Sequence, residues 1–334
     1  MTFVPLAYTT RNQRVESIYQ GLYAVVTADG ALLRSAGDPD YATYLRSAIK
    51  MIQAMPIIES GAAERFALSA AELAICCASH TAADYHVKTV RGLLGKLGLG
   101  EGALKCGGHL PEDREMRERL IRMEGTPTAI YNNCSGKHAG MLASCIAHDW
   151  PLETYLDPDH PLQQRIFDLI ADYAGLSTER IGLGIDGCSL PTYFMPVRNA
   201  ALMAARFIDR AAEPGSADRR LLDAIAAHPE MIQAEEGFDS VLIRSIDGDC
   251  YAKRGAMGIM LIGMRTEAYG AIGIGIKIAD GEGRPMPVVA LAILEELDLL
   301  SDVERERLAS FSLLPLKNWN GIHVGDMRPA EHDD

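Results

Sequence analysis

One stretch near the start of the chain decides its fold: Gly21-Leu-Tyr-Ala-Val-Val-Thr-Ala-Asp-Gly-Ala-Leu-Leu-Arg-Ser35. The run up to Ala28 is rich in the aliphatic and aromatic side chains that strands favour. Asp29-Gly30 follows, and this residue pair is the strongest sequence signal for a two-residue hairpin turn. Ala31 to Ser35 is typical of the returning strand. The chain therefore opens with an antiparallel β-hairpin.

The pattern changes twice after this hairpin. From Ser69 to about Pro229 it is mainly helical, and it includes a capping box at Ser69-Ala-Ala-Glu72. After Gly237 strands are predicted again, and the short connections between them favour antiparallel pairing. The predicted strands are 240–246, 250–253, 258–262 and 269–278. A helix from about Pro287 to Leu300 and a second helix that opens at Ser301 complete the pattern.

Strands at both ends of the chain, with helices between them, predict an α/β protein of the α+β kind. Residues 1–60 and 237–334 are expected to form one discontinuous antiparallel-sheet domain flanked by helices. Residues 61–236 are expected to form an inserted, mainly helical domain. We expect the active site in the cleft between these domains, since ligands favour domain boundaries.

Composition excludes several classes of protein. The 334 residues include 32 Lys+Arg and 45 Asp+Glu, and the net charge of −13 leaves no excess of cations for nucleic acid or an anionic membrane. No apolar run reaches the roughly 18–20 residues that a membrane span requires. The 7 cysteines are an odd number, and the amino terminus lacks the pattern of a secretion signal. We therefore expect a cytoplasmic protein that binds neither nucleic acid nor membrane.

Ser47 and Lys50 are the first candidates for catalysis. They lie three residues apart in 41–55, a segment that predicts a helix ending before Pro56. A lysine amine that is neutral part of the time can take the proton of a serine hydroxyl at this spacing. The spacing is common by chance, so a solvated helix face is the alternative. Lys253-Arg-Gly255 favours catalysis, because acyl enzymes built like penicillin-binding proteins carry Lys-x-Gly on a strand from the C-terminal half of the sheet.

Two further segments combine cysteines with other polar residues. Cys134 lies within Asn132-Asn-Cys-Ser-Gly-Lys-His138, and Cys188 lies within Asp186-Gly-Cys-Ser-Leu-Pro191. Two cysteines in turns can converge on one zinc ion, although no Cys-x-x-Cys pair is present and small buried thiols are the alternative. Ser79 is a second candidate hydroxyl, and the alternative is that Ser79 and the neighbouring His80 only cap a helix end.

Taken together, these segments resemble the L-asparaginases of the type first described from rhizobia. The match runs in order across nearly the whole chain, and its most specific parts are 132–141, with the sequence NNCSGKHAGM, and Asp186-Gly-Cys188. The other matching segments are Glu16-Ser…Gly21, Gly37-Asp-Pro39, Arg46-Ser-x-x-Lys50, Glu59-Ser-Gly61, Ala78-Ser-His80…His86-Val87, Cys106-Gly-Gly-His109 and Ala252-Lys-x-Gly-Ala256.

The resemblance implies a fold similar to serine β-lactamases, penicillin-binding proteins and glutaminases. It also implies that a homodimer hydrolyses L-asparagine to L-aspartate and ammonia. A glutaminase or another serine amidohydrolase of the same fold is the alternative enzyme. The non-enzymatic alternative is a zinc-dependent binding protein.

The resemblance implies roles for individual residues as well. The implied serine-lysine pairs are Ser47 with Lys50 and Ser79 with Lys253. The implied ligands of a Zn²⁺ ion are Cys134, Lys137 and Cys188, together with water. We expect the Ser47 hydroxyl to attack the side-chain amide carbon after Lys50 takes its proton. The charged ends of a free amino acid also need partners, because unpaired charges are costly in a closed site. The candidate partners are Arg46, His80, Asn132 and Asp186.

Overall fold

The computed structural model describes residues 1–330 of the chain. The chain divides into two compact units, a sheet unit and a mainly helical unit. The sheet unit contains Met1–Ala48, Met195–Asp209 and Arg244–Asp334, and the helical unit contains Ile49–Phe194 and Arg210–Ile243. Residues 331–334, which the predicted sheet domain includes, lie outside the described part.

The strands, in chain order, are β1 (Val4–Arg11), β2 (Arg14–Thr27), β3 (Leu32–Ala36), β4 (Ala42–Tyr44), β5 (Gly182–Ile185), β6 (Pro191–Pro196), β7 (Cys250–Gly255), β8 (Ile259–Thr266), β9 (Gly270–Ile278), β10 (Leu314–Lys317) and β11 (His323–Pro329). Eight of them form the sheet of the sheet unit in the order β10-β11-β1-β2-β9-β8-β7, with β3 paired to β2. The pairs are antiparallel, as the short connections predict. The predicted hairpin is confirmed, because Ala24 of β2 lies opposite Ser35 of β3.

The helices, in chain order, are α1 (Lys50–Glu59), α2 (Ala62–Arg65), α3 (Ala70–Cys76), α4 (Asp84–Lys96), α5 (Arg114–Arg122), α6 (Ser135–Ala147), α7 (Pro161–Ala174), α8 (Val197–Arg210), α9 (Ala217–Ala227), α10 (Phe238–Ser245), α11 (Met286–Glu296) and α12 (Asp302–Ser312). Both predicted capping boxes form, with Ser69 at the start of α3 and Ser301 at the start of α12. The mixed fold of helices and an antiparallel sheet is confirmed.

The boundaries of the two units differ from the predicted domain boundaries. Helix α1 belongs to the helical unit, although residues 50–59 were expected in the sheet domain. Most of helix α8 belongs to the sheet unit, where it packs on β9 through small residues. The expected position of the active site in a cleft between domains stays a prediction.

Alanine-rich helix α8 approaches strand β9 at a glycine. A Cβ built on Gly273 would lie 1.9 Å from the Ala201 carbonyl oxygen and 2.7 Å from the Ala205 nitrogen. No real Cβ tolerates such distances to backbone atoms, so the helix backbone rests directly on the strand. The alternation of isoleucine and glycine in 272–276 therefore leaves room for the helix on one face of the strand.

Replacing Gly273 by Ala is expected to lower the free energy of unfolding by about 1–3 kcal/mol or more, because α8 must move away from the sheet. Gly95→Ala is the matched control, since Gly95 lies at an exposed position of helix α4 with nothing within 4 Å of a built Cβ. That control is expected to raise the free energy of unfolding by about 0.5–1 kcal/mol. Urea unfolding measures both changes, and equal shifts for the two variants would contradict the packing argument.

Two predicted elements are wrong. The segment 41–55 forms a short strand, a 3₁₀ turn at Arg46–Ile49 and then α1, which continues through Pro56. A positive φ of 49° at Arg46 prevents an earlier helix start, and the burial of α1 on both sides of Pro56 offsets the lost hydrogen bond. The segment 240–246 forms helix α10 instead of a strand. Its buried residues recur with a helical period, including the polar Ser240, which hydrophobicity alone assigns to the surface.

Within residues 1–330, none of the helices is both long enough and apolar enough to cross a membrane. The homodimer and the cytoplasmic location stay predictions.

Candidate active site

Ser47 lies in a strained turn of the sheet unit. The preceding residue, Arg46, has a φ of 49°, a backbone conformation that is costly for any residue except glycine. Ser47 and Arg46 are both half-buried. Strained residues of this kind concentrate at functional sites, where the surrounding structure holds them.

Strand β7 approaches the same turn through the glycine of the Lys-x-Gly motif. A Cβ on Gly255 would lie 2.9 Å from the Leu45 carbonyl oxygen and 3.2 Å from the Ala48 nitrogen. The glycine therefore allows the strand to pass close to the turn that carries Ser47. Two residues earlier, Lys253 is fully buried, and its Nζ donates a hydrogen bond of 2.7 Å to the Arg254 carbonyl.

Lys50, the first residue of α1, is fully buried in the helical unit. Its Nζ donates to the Ser79 hydroxyl at 3.0 Å and also to the Ala78 carbonyl. The Cys134 sulfur lies 3.2 Å from the same amine. The hydroxyl that the structure places against Lys50 is thus that of Ser79, which the resemblance pairs with Lys253.

Cys134, Lys137 and Cys188 come together at the start of α6. Cys134 and Lys137 lie three residues apart on the first turn of the helix, and Lys137 Nζ donates to the Cys188 sulfur at 3.3 Å. All three side chains are at least 96% buried. The hydrogen bond donated by the Cys188 thiol and the charges of Lys50 and Lys137 hold the pKa of Cys134 well below its usual range. These interactions favour the thiolate form of Cys134, whose sulfur lies 3.2 Å from the Lys50 amine.

This donor set fits zinc. Among residues 1–330, no group of three or more His, Cys, Asp or Glu side chains is arranged to hold a metal ion. A zinc site here therefore requires the lysine amine beside the two sulfurs, and cysteine sulfur is a donor that zinc prefers. Asp186 lies next to the cluster, with its Oδ2 4.0 Å from the Cys188 sulfur. It is half-buried, and its Oδ1 accepts the Gly187 N–H.

The other two candidate substrate partners in this unit bind protein groups. His80 is fully buried, its Nδ1 accepts the Ala82 N–H at 3.1 Å, and its Nε2 lies 2.8 Å from the Ser135 hydroxyl. Burial holds the pKa of His80 well below its usual range, so the ring is neutral. Asn132 donates to two carbonyls of the segment after Leu104, and its side-chain oxygen accepts the Cys134 N–H at 2.8 Å. Both residues hold the backbone of the site.

His109 and Asn133 belong to the same site and were not singled out from the sequence. His109 Nε2 accepts the Asn133 N–H at 3.1 Å, and the Asn133 carbonyl accepts the His80 N–H at 3.3 Å. The signal for His109 was present, because the segment Cys106-Gly-Gly-His109 is one of the matching segments. The sequence does not show its contact with Asn133, because 24 positions separate the two residues in the chain.

Comparisons with known proteins identify the family of this chain. Among solved structures, the native form of Mglu matches with a TM-score of 0.45 and 15% identity, over 84% of this chain and 64% of Mglu. A Bacillus glutaminase matches with a TM-score of 0.36 and 12% identity, over 84% of this chain and 91% of that protein. No curated protein matches the chain. The model of the L-asparaginase II family matches residues 7–329, which include every site residue described above. This protein therefore belongs to the L-asparaginase II family, a family of amidohydrolases.

Proposed function

We propose that this protein hydrolyses the side-chain amide of L-asparagine to L-aspartate and ammonia, through a serine that a lysine activates. The observation that carries the proposal is the fully buried Lys50 amine, 3.0 Å from the Ser79 hydroxyl and 3.2 Å from the Cys134 sulfur. A buried amine beside a hydroxyl is suited to proton transfer, and a surface role does not explain it. Membership of the L-asparaginase II family supports the same reaction.

In the proposed reaction the Ser47 oxygen forms a bond to the side-chain amide carbon while Lys50 takes the hydroxyl proton. Attack by Ser47 is favoured by its position in a strained, half-buried turn beside the Lys-x-Gly strand. The bond between the amide carbon and nitrogen then breaks, and the departing nitrogen takes the proton held by Lys50, relayed through Lys253 and Ser79. Water then attacks the ester carbon and gives a proton to Lys50. The ester bond breaks, aspartate leaves, and Lys50 returns that proton to the Ser47 oxygen.

We also propose that Cys134, Lys137 and Cys188 hold zinc. When bound, zinc supplies a positive charge that orients the amino acid end of the substrate, since two sulfur ligands leave it a weak Lewis acid. Arg46 and Asp186 are proposed as partners of the substrate's carboxylate and ammonium groups. His80 and Asn132 act instead on the backbone of the site, because their polar atoms bind protein groups.

Ammonia release from L-asparagine and L-glutamine, measured side by side on protein of known zinc content, tests the proposed function. We expect asparagine to be preferred by about 10- to 200-fold in kcat/KM, the discrimination typical of one methylene in a pocket. Equal or faster release from glutamine would identify a glutaminase. Release from neither substrate by zinc-loaded protein would leave the zinc-dependent binding protein as the function.

A further inference from the structure

An irregular segment of the helical unit, residues 104–113, bonds to the turn before α6 and to the turn after Ser79, and we call it the strap. It is held at both ends and in the middle. The Asn132 side chain donates to the Cys106 and Gly107 carbonyls at 2.9 and 3.0 Å. At its far end, the Asp113 N–H donates to the Thr81 carbonyl at 2.7 Å, two residues after Ser79.

His109 is the side chain of the strap that bonds to the turn before α6. Its Nε2 accepts the Asn133 N–H at 3.1 Å. The ring proton is therefore on Nδ1, which donates to the Leu110 carbonyl at 2.8 Å. The ring is half-buried, and both of its nitrogens form hydrogen bonds with backbone groups instead of with water. The bond from His109 therefore holds the strap against the turn before α6.

Asn133, which His109 holds in place, contacts the proposed catalytic lysine and a proposed zinc ligand. Its carbonyl oxygen lies 3.5 Å from Lys50 Nζ and accepts the His80 N–H at 3.3 Å. Its side-chain oxygen lies 3.2 Å from the Cys134 sulfur. The Asn133 N–H and the Asn133 carbonyl flank the same Cα atom, so a displacement of the Asn133 backbone would move an acceptor of the Lys50 amine. It would also move a neighbour of the proposed zinc ligand.

We propose that His109 is a positioning residue of the amide hydrolysis, an inference that rests on the proposed function. By accepting the Asn133 N–H, it holds the Asn133 backbone and so keeps the Asn133 carbonyl 3.5 Å from the Lys50 amine, which contacts the Ser79 hydroxyl. The ring itself does not touch the reacting atoms. Its contribution therefore appears in kcat, because the bonds that bind substrate are unchanged.

The strap holds His109 in place through its backbone. Gly108, the preceding residue, has no room for a side chain, since a built Cβ would lie 2.2 Å from the Pro127 carbonyl oxygen. By contrast, a Cβ on Gly102, just before the strap, has nothing within 4 Å. The two glycines therefore provide a matched pair of alanine variants that leave the His109 ring intact.

The first experiment compares His109→Leu with His109→Gln. Leucine removes the acceptor, and glutamine supplies a carbonyl oxygen at a similar distance along the side chain. We expect His109→Leu to lower kcat by about 100-fold, the loss typical of a small misplacement, with KM changed by less than about 3-fold. We expect His109→Gln to recover most of that loss. Wild-type kcat in His109→Leu, or a glutamine variant as slow as the leucine variant, would overturn the proposal.

The second experiment covers the case in which the leucine variant does not fold. Gly108→Ala is expected to lower kcat at unchanged KM, because it pushes the strap off the turn, whereas Gly102→Ala is expected to match the wild type. Equal kcat values for the two alanine variants would overturn the proposal.

Hydrogen exchange at the Asn133 amide separates this proposal from the proposed function. The amide is expected to exchange slowly in the wild type and in His109→Gln, and at least about 10-fold faster in His109→Leu, since loss of the acceptor opens it to water. Failure of the wild type to release ammonia would refute the proposed function, while this exchange rate still tests the contact. Unchanged exchange in His109→Leu would show that His109 does not hold the turn and would overturn the inference.

Discussion

Replacement of Ser47 by alanine is expected to lower ammonia release from L-asparagine by about 10⁴-fold or more, because it removes the oxygen that forms the ester. Ser47 is small and half-buried in a turn that its neighbours hold, so the variant is expected to fold. Ser60→Ala, at the other end of α1, is the matched control and is expected to match the wild type in rate. Steady-state ammonia release measures both effects.

Ser79 is the hydroxyl that competes for the same role. It is the serine in contact with Lys50, so Ser79→Ala is expected to slow proton transfer by about 10²- to 10⁴-fold without removing the nucleophile. Quenching the reaction in acid and mapping the ester by mass spectrometry distinguishes the two serines. We expect the aspartyl ester on Ser47 in the wild type and in Ser79→Ala. An ester on Ser79, or turnover by Ser47→Ala, would reassign the attack to Ser79.

Replacement of Cys134 by alanine is expected to have the largest effect on stability. The Cys134 sulfur lies 3.2 Å from the Lys50 amine, the charges of Lys50 and Lys137 favour its thiolate form, and both lysines are at least 97% buried. Removing one partner of a buried charge pair leaves the other charge uncompensated, which costs about 3–5 kcal/mol. The variant is also expected to lose its zinc, since one of two sulfur donors is gone. Urea unfolding of metal-free protein and the zinc content of protein purified with zinc measure the two effects separately.

Cys145 provides the control for that variant. It is fully buried on the same helix, and burial raises the pKa of its thiol to about 12, so it remains a neutral group. Cys145→Ala is therefore expected to cost only about 1 kcal/mol, as for the loss of a small apolar group, and to keep its zinc. If Cys134→Ala matched Cys145→Ala in both stability and zinc content, then Cys134 would be an ordinary buried thiol.

The sequence by itself determined the family and the local elements. The hairpin at Asp29-Gly30 and the capping boxes at Ser69 and Ser301 depend on neighbours along the chain, and the structure confirms them. Segment 132–141 was the most specific sign of the family, and the family model matches residues 7–329. The prediction of secondary structure was wrong where one sequence pattern is compatible with two structures. The apolar residues of 240–246 are compatible with a strand, but they lie in helix α10.

Only the tertiary structure decided which polar groups meet. Lys50 contacts Ser79, 29 positions later, and Cys134, 84 positions later, and the spacing of Ser47 and Lys50 predicts neither contact. The structure likewise shows that His80 and Asn132, two of the predicted substrate partners, bind groups of the protein itself, and it shows that His109 accepts the Asn133 N–H. The physical reason is that a pattern of residues encodes contacts within a few positions. Contacts across tens of positions depend on the path of the chain, which the burial of the whole core determines.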